Sequence, residues 1–264
     1  MAKKVFIAIG HGGKDPGAVG NDLKEKDLNL SIALACQAEL VRHGVSVLTS
    51  RVKDENDDVS ERIKECNAFD PDLACDIHTN AGGGDGAEVY HTIGGGTGKT
   101  LANNILAEVV EIGQNSRGAK TKKNSNGRDY FGFIRQTVCP AVIVECAFID
   151  NKKDIAIIDT EAEQKKMGIA IAKGFLKTLG ITYKEPAKKQ KTCEVTLPVL
   201  KKGDSGEYVK TMQLLLIGHG HNLSATGNYG NGTEKALHAF KKKVGLAVTS
   251  NCGVQTWSAL LGVK

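Results

Sequence analysis

Through the first two thirds of the chain, short unbroken apolar runs alternate with longer stretches of helical periodicity. Val5-Phe-Ile-Ala-Ile9, Val45–Leu48, Leu73–Ile77, Ala87–Ile93 and Ala141–Val144 read as buried strands. Between them, Leu28, Ile32, Ala35, Cys36 and Leu40 recur at helical spacing, with Gly44 as a stop. Ser60–Phe69, ending before Pro71, and stretches over 100–112 and 162–179 read as further helices. Such alternation predicts an α/β fold, with a mostly parallel mixed sheet flanked by helices. With 41% hydrophobic and 25% charged residues, the composition excludes a disordered chain or a coiled-coil rod. No apolar run approaches the ~20 residues needed to span a bilayer, so membrane insertion is not expected.

The character of the chain changes after residue 182. Tyr183-Lys-Glu-Pro-Ala-Lys-Lys-Gln-Lys-Thr192 is polar, lysine-rich and interrupted by proline, as linkers are. The expected division is therefore a large domain over 1–182, a linker over 183–195 and a small domain over 196–264. Residues 183–264 carry 12 Lys and no Arg against five acids, a basic balance suited to an anionic polymer such as nucleic acid or cell wall. The small domain lacks the interleaved aromatic and basic residues of single-strand binders, so nucleic acid is not the expected partner. Val209, Met212, Leu215 and Leu216 mark one helix of this domain. Thr233 as cap, with Ala236, Leu237 and Phe240, marks a second, and Gly253–Leu261, with Trp257 in the core, a third. The second domain is thus a small all-α three-helix unit. The whole chain's seven cysteines, an odd number without any C-x-x-C pair, argue for buried thiols rather than a disulfide framework.

Polar groups close the apolar runs of the large domain. His11 follows the first and His78 the third, Glu145 follows Val142-Ile-Val144, and Glu25 lies in the loop before the first helix. A lone histidine at a strand end is most often a hydrogen-bonded structural group. Several polar groups at the carboxyl edge of one sheet, where such sheets place their chemistry, are harder to read that way. Two histidines and a carboxylate suit a catalytic zinc, which keeps one position open for water. A further carboxylate, here Glu145, can then move the water's proton.

Four local words add to this reading. Ile9-Gly-His-Gly-Gly-Lys-Asp-Pro-Gly-Ala18, Lys24-Glu-Lys-Asp-Leu-Asn-Leu30, Asp76-Ile-His-Thr-Asn80 and Val144-Glu-Cys-Ala-Phe148 stand in the order found in the zinc-dependent N-acetylmuramoyl-L-alanine amidases, which this segment resembles. The resemblance implies one Zn2+ held by His11, Glu25 and His78, with Glu145 as catalytic acid/base. The reaction implied is hydrolysis of the amide joining muramic acid to L-alanine in bacterial peptidoglycan. One departure is Asp76, where the family usually has Ser. Alternation puts Asp76 on the same side of the strand as His78, so it can either orient that ligand or make an unrelated polar contact. Asn80 is expected to shape the site. Arg135 is expected either to pair with a substrate carboxylate or to remain a solvated charge.

Leu200-Lys-Lys-Gly-Asp-Ser-Gly206, Gly227-Asn-Tyr-Gly-Asn-Gly-Thr-Glu-Lys-Ala236 and Thr256-Trp257 are similar to a peptidoglycan-binding domain attached to many wall hydrolases. That implies wall binding, for which Tyr229 and the loop 218–230 are the candidates. Val5–Ile9 is too short for a signal-peptide core. The expectation is therefore synthesis in the cytoplasm and action on the wall after release through a holin or lysis, as for a phage endolysin. Two other readings stay open: a zinc peptidase cutting within the stem peptide, and a wall-binding protein without catalysis. The Gly94–Thr100 run fails the phosphate-loop spacing because Ile93 stands where glycine is required. His91 and His219-Gly-His221 are read as structural. The oligomeric state is not legible.

Overall fold

The apolar run at the start forms β1 (Lys4–Ile9), the centre around which the first unit is built. A minimal hairpin of β2 (Val19–Gly20) and β3 (Leu23–Lys24) leads into α1 (Glu25–Arg42). Then follow β4 (Ser46–Thr49), α2 (Val59–Phe69), β5 (Leu73–Asn80), β6 (Ala87–Tyr90) and α3 (Gly96–Glu111). β7 (Ser116–Lys120), α4 (Gly132–Gln136), β8 (Ala141–Phe148), α5 (Lys152–Ile155) and α6 (Glu161–Thr178) complete this unit. In this computed structural model, residues 2–186 and 196–263 are described. The chain divides into two units, Met1–Pro186 and Ala187–Lys264. Most of the expected linker, with Cys193, lies outside the described residues.

Six strands make one sheet in the order β4-β1-β5-β8-β6-β7. β4, β1, β5 and β8 are mutually parallel, whereas β6 runs antiparallel to β8 and parallel to β7. The sheet is thus mixed and mostly parallel, as the alternating pattern predicts. One face carries Val5, Ile7, Ile9, Cys75, Ile77, Val142 and Val144 against the apolar sides of α1, α3 and α6. Phe6, Ala8, Ala74 and Ala141 on the opposite face meet α2 and α4 through Ile63, Cys66 and Phe133. Covering both faces explains why these strands read as continuous apolar runs.

Several boundaries differ from the sequence reading. α1 begins at Glu25 rather than near Leu28: two acids, Glu25 and Asp27, occupy its first turn, where the helix dipole favours them. Glu25 is therefore a helical residue, not a loop residue. α3 starts within the glycine-rich run, at Gly96 instead of Thr100. β5 and β8 extend through His78 and Glu145, which are strand residues rather than groups following a strand.

The second unit consists of α7 (Glu207–Gly218), α8 (Asn231–Lys243) and α9 (Val254–Leu261). Val209, Met212, Leu216, Leu237, Phe240, Trp257 and Leu260 form its core, and the Trp257 indole N–H donates to the Pro198 carbonyl at 2.8 Å. Thr233 does not cap α8, which starts at Asn231 behind Gly230. Its hydroxyl instead accepts from the buried Gln213 amide at 2.8 Å. Gln213 also donates to the Asn228 carbonyl and accepts from Gly227 N–H, tying the 224–230 turn to α7.

Candidate metal and catalytic site

β1 ends in Gly10-His11, and His11 takes a left-handed φ of 63°. For a non-glycine residue that conformation costs free energy, and such strain gathers at functional positions. It is held here by contacts on both ring nitrogens. His11 Nδ1 lies 2.7 Å from Asp15 Oδ2 and Nε2 lies 3.2 Å from Glu25 Oε2. Glu25, at the first turn of α1, is 4% exposed. Its Oε2 accepts from Ala18 N–H at 2.8 Å, and its Oε1 accepts from Thr79 N–H at 3.1 Å and meets His78 Nδ1 at 3.0 Å. One carboxylate thus joins the hairpin approach, α1 and β5.

Glycine makes this closeness possible at two points. A Cβ on Gly10 would stand 2.3 Å from His78 Cε1, and one on Gly17 would stand 2.6 Å from Glu25 Oε2. One ligand atom from each of His11, Glu25 and His78 lies within 4.8 Å of the others. Two imidazole nitrogens and a carboxylate oxygen, at this spacing and walled by glycine backbone, fit a zinc ion with an open position. Among the described residues no other His, Cys, Asp or Glu group of this kind comes together.

The sheet register brings the fourth sequence candidate alongside. Glu145 on β8 is the direct partner of His78 on β5, and Glu88 on β6 is the direct partner of Glu145. The three side chains therefore stand in one row across the sheet. Beyond His78 the pairing slips, so that Asn80 faces Phe148, a bulge of the kind that re-aims side chains beside active sites.

The electrostatics divide the carboxylates. Burial works against ionised Glu25, but the His11 and His78 imidazoles and the Ala18 N–H outweigh it and hold Glu25 far below its ordinary range. Burial also works against a charged His78, yet Asp76 and Glu25 raise it to about 10. Glu145 goes the other way: burial pushes it up to about 7, against the pull of His78 and with help from Glu25, Glu88 and Asp76. Groups poised near neutrality suit proton transfer at neutral pH.

Three further sequence candidates fall differently. Asn80 donates to Glu88 Oε1 at 3.2 Å, so it braces the row of acids. Arg135 Nη1 donates to the Asp129 and Tyr130 carbonyls at 2.6 and 2.8 Å, which makes it the brace of the loop before α4. Tyr229 requires correction as a wall contact. It is 2% exposed, packs in the second unit's core and donates its hydroxyl to the Ser250 carbonyl at 2.6 Å. An aromatic ring flanked by glycines in a turn reads as a surface platform, but this one fills the core beneath the turn.

Glu88 was missed by sequence reading. It is buried, accepts from Arg117 Nε at 2.8 Å and Tyr90 Oη at 2.9 Å, and pairs with Lys120. Burial would raise its pKa, but Lys120, Arg117 and Tyr90 hold it down. The sequence shows only one acid inside the short run Ala87-Glu-Val-Tyr90, which by itself marks no site.

Fold and site together set a candidate metal-ligand cluster beside a buried carboxylate on a mixed α/β sheet. The family of N-acetylmuramoyl-L-alanine amidases matches residues 5–177, and the chain belongs to it. A putative peptidoglycan binding domain matches residues 205–260. The chain is 36% identical over 177 residues to the sporulation-specific N-acetylmuramoyl-L-alanine amidase of Bacillus subtilis, covering 65% of this chain and 66% of that protein. It is 33% identical over 193 residues to the endolysin of Bacillus phage SPP1, covering 70% and 69%. Among solved structures, Cwp6 from Clostridium difficile superposes with a TM-score of 0.67 at 38% identity, covering 68% of this chain and 30% of that one. The chain therefore spans about two thirds of these curated relatives and less than a third of the Cwp6 chain.

Proposed function

We propose that the chain hydrolyses the amide between the lactyl group of N-acetylmuramic acid and L-alanine of the stem peptide, using one zinc ion held by His11, Glu25 and His78. The observation that carries this reading is the single register row that sets Glu145 beside a two-histidine, one-carboxylate cluster. Zinc bound there supplies a Lewis acid for the amide carbonyl and lowers the pKa of water toward about 7. The chain's own residues do the rest. Asp15 fixes the His11 ring through Nδ1, leaving Nε2 toward the cluster. Glu145 takes a proton from the attacking water as the carbon–oxygen bond forms. It returns that proton to the L-alanine nitrogen as the carbon–nitrogen bond breaks, leaving a lactyl carboxylate and a free amine.

In this reading residues 1–182 are the catalytic domain, 183–195 the linker and 196–264 the wall-binding domain. With Tyr229 in the core, the remaining candidate for wall contact is the rest of the 218–230 loop, where Asn222, Ser224, Thr226 and Asn228 line a surface cavity of about 390 Å³. No helix among the described residues is long and apolar enough to cross a membrane. The name of the phage relative, an endolysin, supports a wall-lytic role of that kind.

The test is digestion of purified peptidoglycan with and without a zinc chelator, read by mass spectrometry. The expected products are intact stem peptides beginning at L-alanine and unmodified glycan, appearing only without chelator. Fragments cut within the peptide would make the chain a peptidase. Binding without release from several wall types would make it a binding protein.

A further inference from the structure

Behind His78 lies a charged pair that the hydrolytic steps do not use. Arg62 on α2 is 6% exposed and Asp76 on β5 is 2% exposed. Arg62 Nη1 donates to Asp76 Oδ1 at 2.9 Å, and the same oxygen stands 3.3 Å from His78 Nε2. Asp57 lies 4.0 Å from Arg62 Nε and accepts from the Ser50 hydroxyl at 2.6 Å, while Ser50 Oγ accepts from Ile9 N–H at 3.1 Å. The network thus runs from the end of β1 through α2 to the back of a β5 histidine.

A buried ion pair is a weak source of stability, because desolvation offsets most of its attraction, and apolar groups of similar volume often serve the fold as well. Its placement is more specific than that. An imidazole has two different nitrogens, and the bond made by one decides what the other can do. His78 Nδ1 faces Glu25 within the cluster, whereas Nε2 faces Asp76. His11 has the opposite arrangement, with Nδ1 on Asp15 and Nε2 facing Glu25.

We propose that Asp76, aimed and charge-balanced by Arg62, is a positioning residue that holds the Nε2–H of His78 and so commits Nδ1 to the metal, while His11 ligates through Nε2. The two histidines therefore bind through different nitrogens, each fixed by its own carboxylate. This inference rests on the zinc reading of the site and adds the residues that set its ligand geometry.

The experiment compares the full chain with Asp76→Ala and with the double variant Arg62→Met/Asp76→Ala, which leaves no stranded buried cation. Zinc affinity is measured by competition with a fluorescent chelator. Long-range proton–nitrogen correlation spectra of the zinc-loaded, histidine-labelled proteins report which nitrogen is bound. We expect one histidine bound through Nδ1 and one through Nε2 in the native chain. Both variants should bind zinc about 10- to 100-fold more weakly, as loss of such outer partners typically does, and the His78 Nε2 proton signal should disappear. Native affinity in both variants, or recovery in the double variant alone, would overturn the positioning role, as would His78 bound through Nε2. If the single variant does not fold, the double variant carries the test. Failure of the native chain itself to bind zinc would overturn the metal reading and this inference with it.

Discussion

At the scale of single residues, the site depends as much on what is missing as on what is present. Gly10 has no side chain where the His78 ring lies, and Gly10→Ala would place a carbon within 2.3 Å of it. We expect this variant to fold but to lose zinc affinity by at least tenfold, measured by chelator competition; unchanged binding would mean the ring can move without cost. Glu145→Gln keeps size and hydrogen bonding but removes the proton acceptor. Turnover on peptidoglycan should fall by about 10²- to 10⁴-fold, the usual contribution of a general base, with zinc content unchanged. The gathering of His11, Glu25, His78 and Glu145 was legible from polar groups closing apolar runs and from four words that resemble the amidase family. Glu88 was not, since a single acid in a four-residue strand carries no pattern until the register sets it beside Glu145. Tyr229 misled because exposure follows from packing, not from neighbours in sequence.

Among elements, the strands and long helices were legible because burial on one or both faces imposes a period on the sequence. β7, Ser116-Arg-Gly-Ala-Lys120, was not: it lies at the sheet's edge with no residue fully buried and so shows no apolar alternation. The two-residue strands of the β2–β3 hairpin are too short for any period. Helix starts were misplaced where acids or glycines, rather than apolar residues, open the first turn. α6 carries a device that periodicity also hides. A Cβ on Gly168 would lie 2.4 Å from the Ile32 carbonyl of α1, and one on Gly174 would lie 2.6 Å from Ile105 of α3. Alanine in place of helical glycine ordinarily stabilises by up to about 1 kcal/mol. Here Gly168→Ala should destabilise by about 1–3 kcal/mol, because the helices must move apart. Chemical denaturation would measure it, and a stabilised variant would contradict the close approach.

For the whole molecule, two separate cores predict two responses to one perturbation. The proposed zinc ligands all belong to the unit Met1–Pro186, so chelation should lower the melting temperature of that unit alone. At a free zinc concentration a hundred times Kd, the lost stabilisation is about 2.7 kcal/mol. Calorimetry should show one transition shifting and the other fixed; a common shift would mean the units unfold together. In the second unit, Lys241 is buried and donates to the Thr249 and Asn251 carbonyls at 2.9 and 2.6 Å. Lys241→Met would leave those carbonyls without donors and should destabilise that unit by about 1–3 kcal/mol, without affecting zinc uptake. Composition changes near residue 182, close to the boundary between the two units at Pro186. The surface by which the small unit meets the wall was not, because hydroxyl and amide side chains in a turn look alike whether or not they line a cavity.

The convergence on Glu25 has a consequence for how the protein matures. Its carboxylate is committed to backbone donors from Ala18 and Thr79 and to both imidazoles. Folding alone therefore finishes the cradle, and the ordering entropy of its three ligands is lost then rather than when the ion arrives. Under the proposed zinc reading, loading is then a step separable from folding.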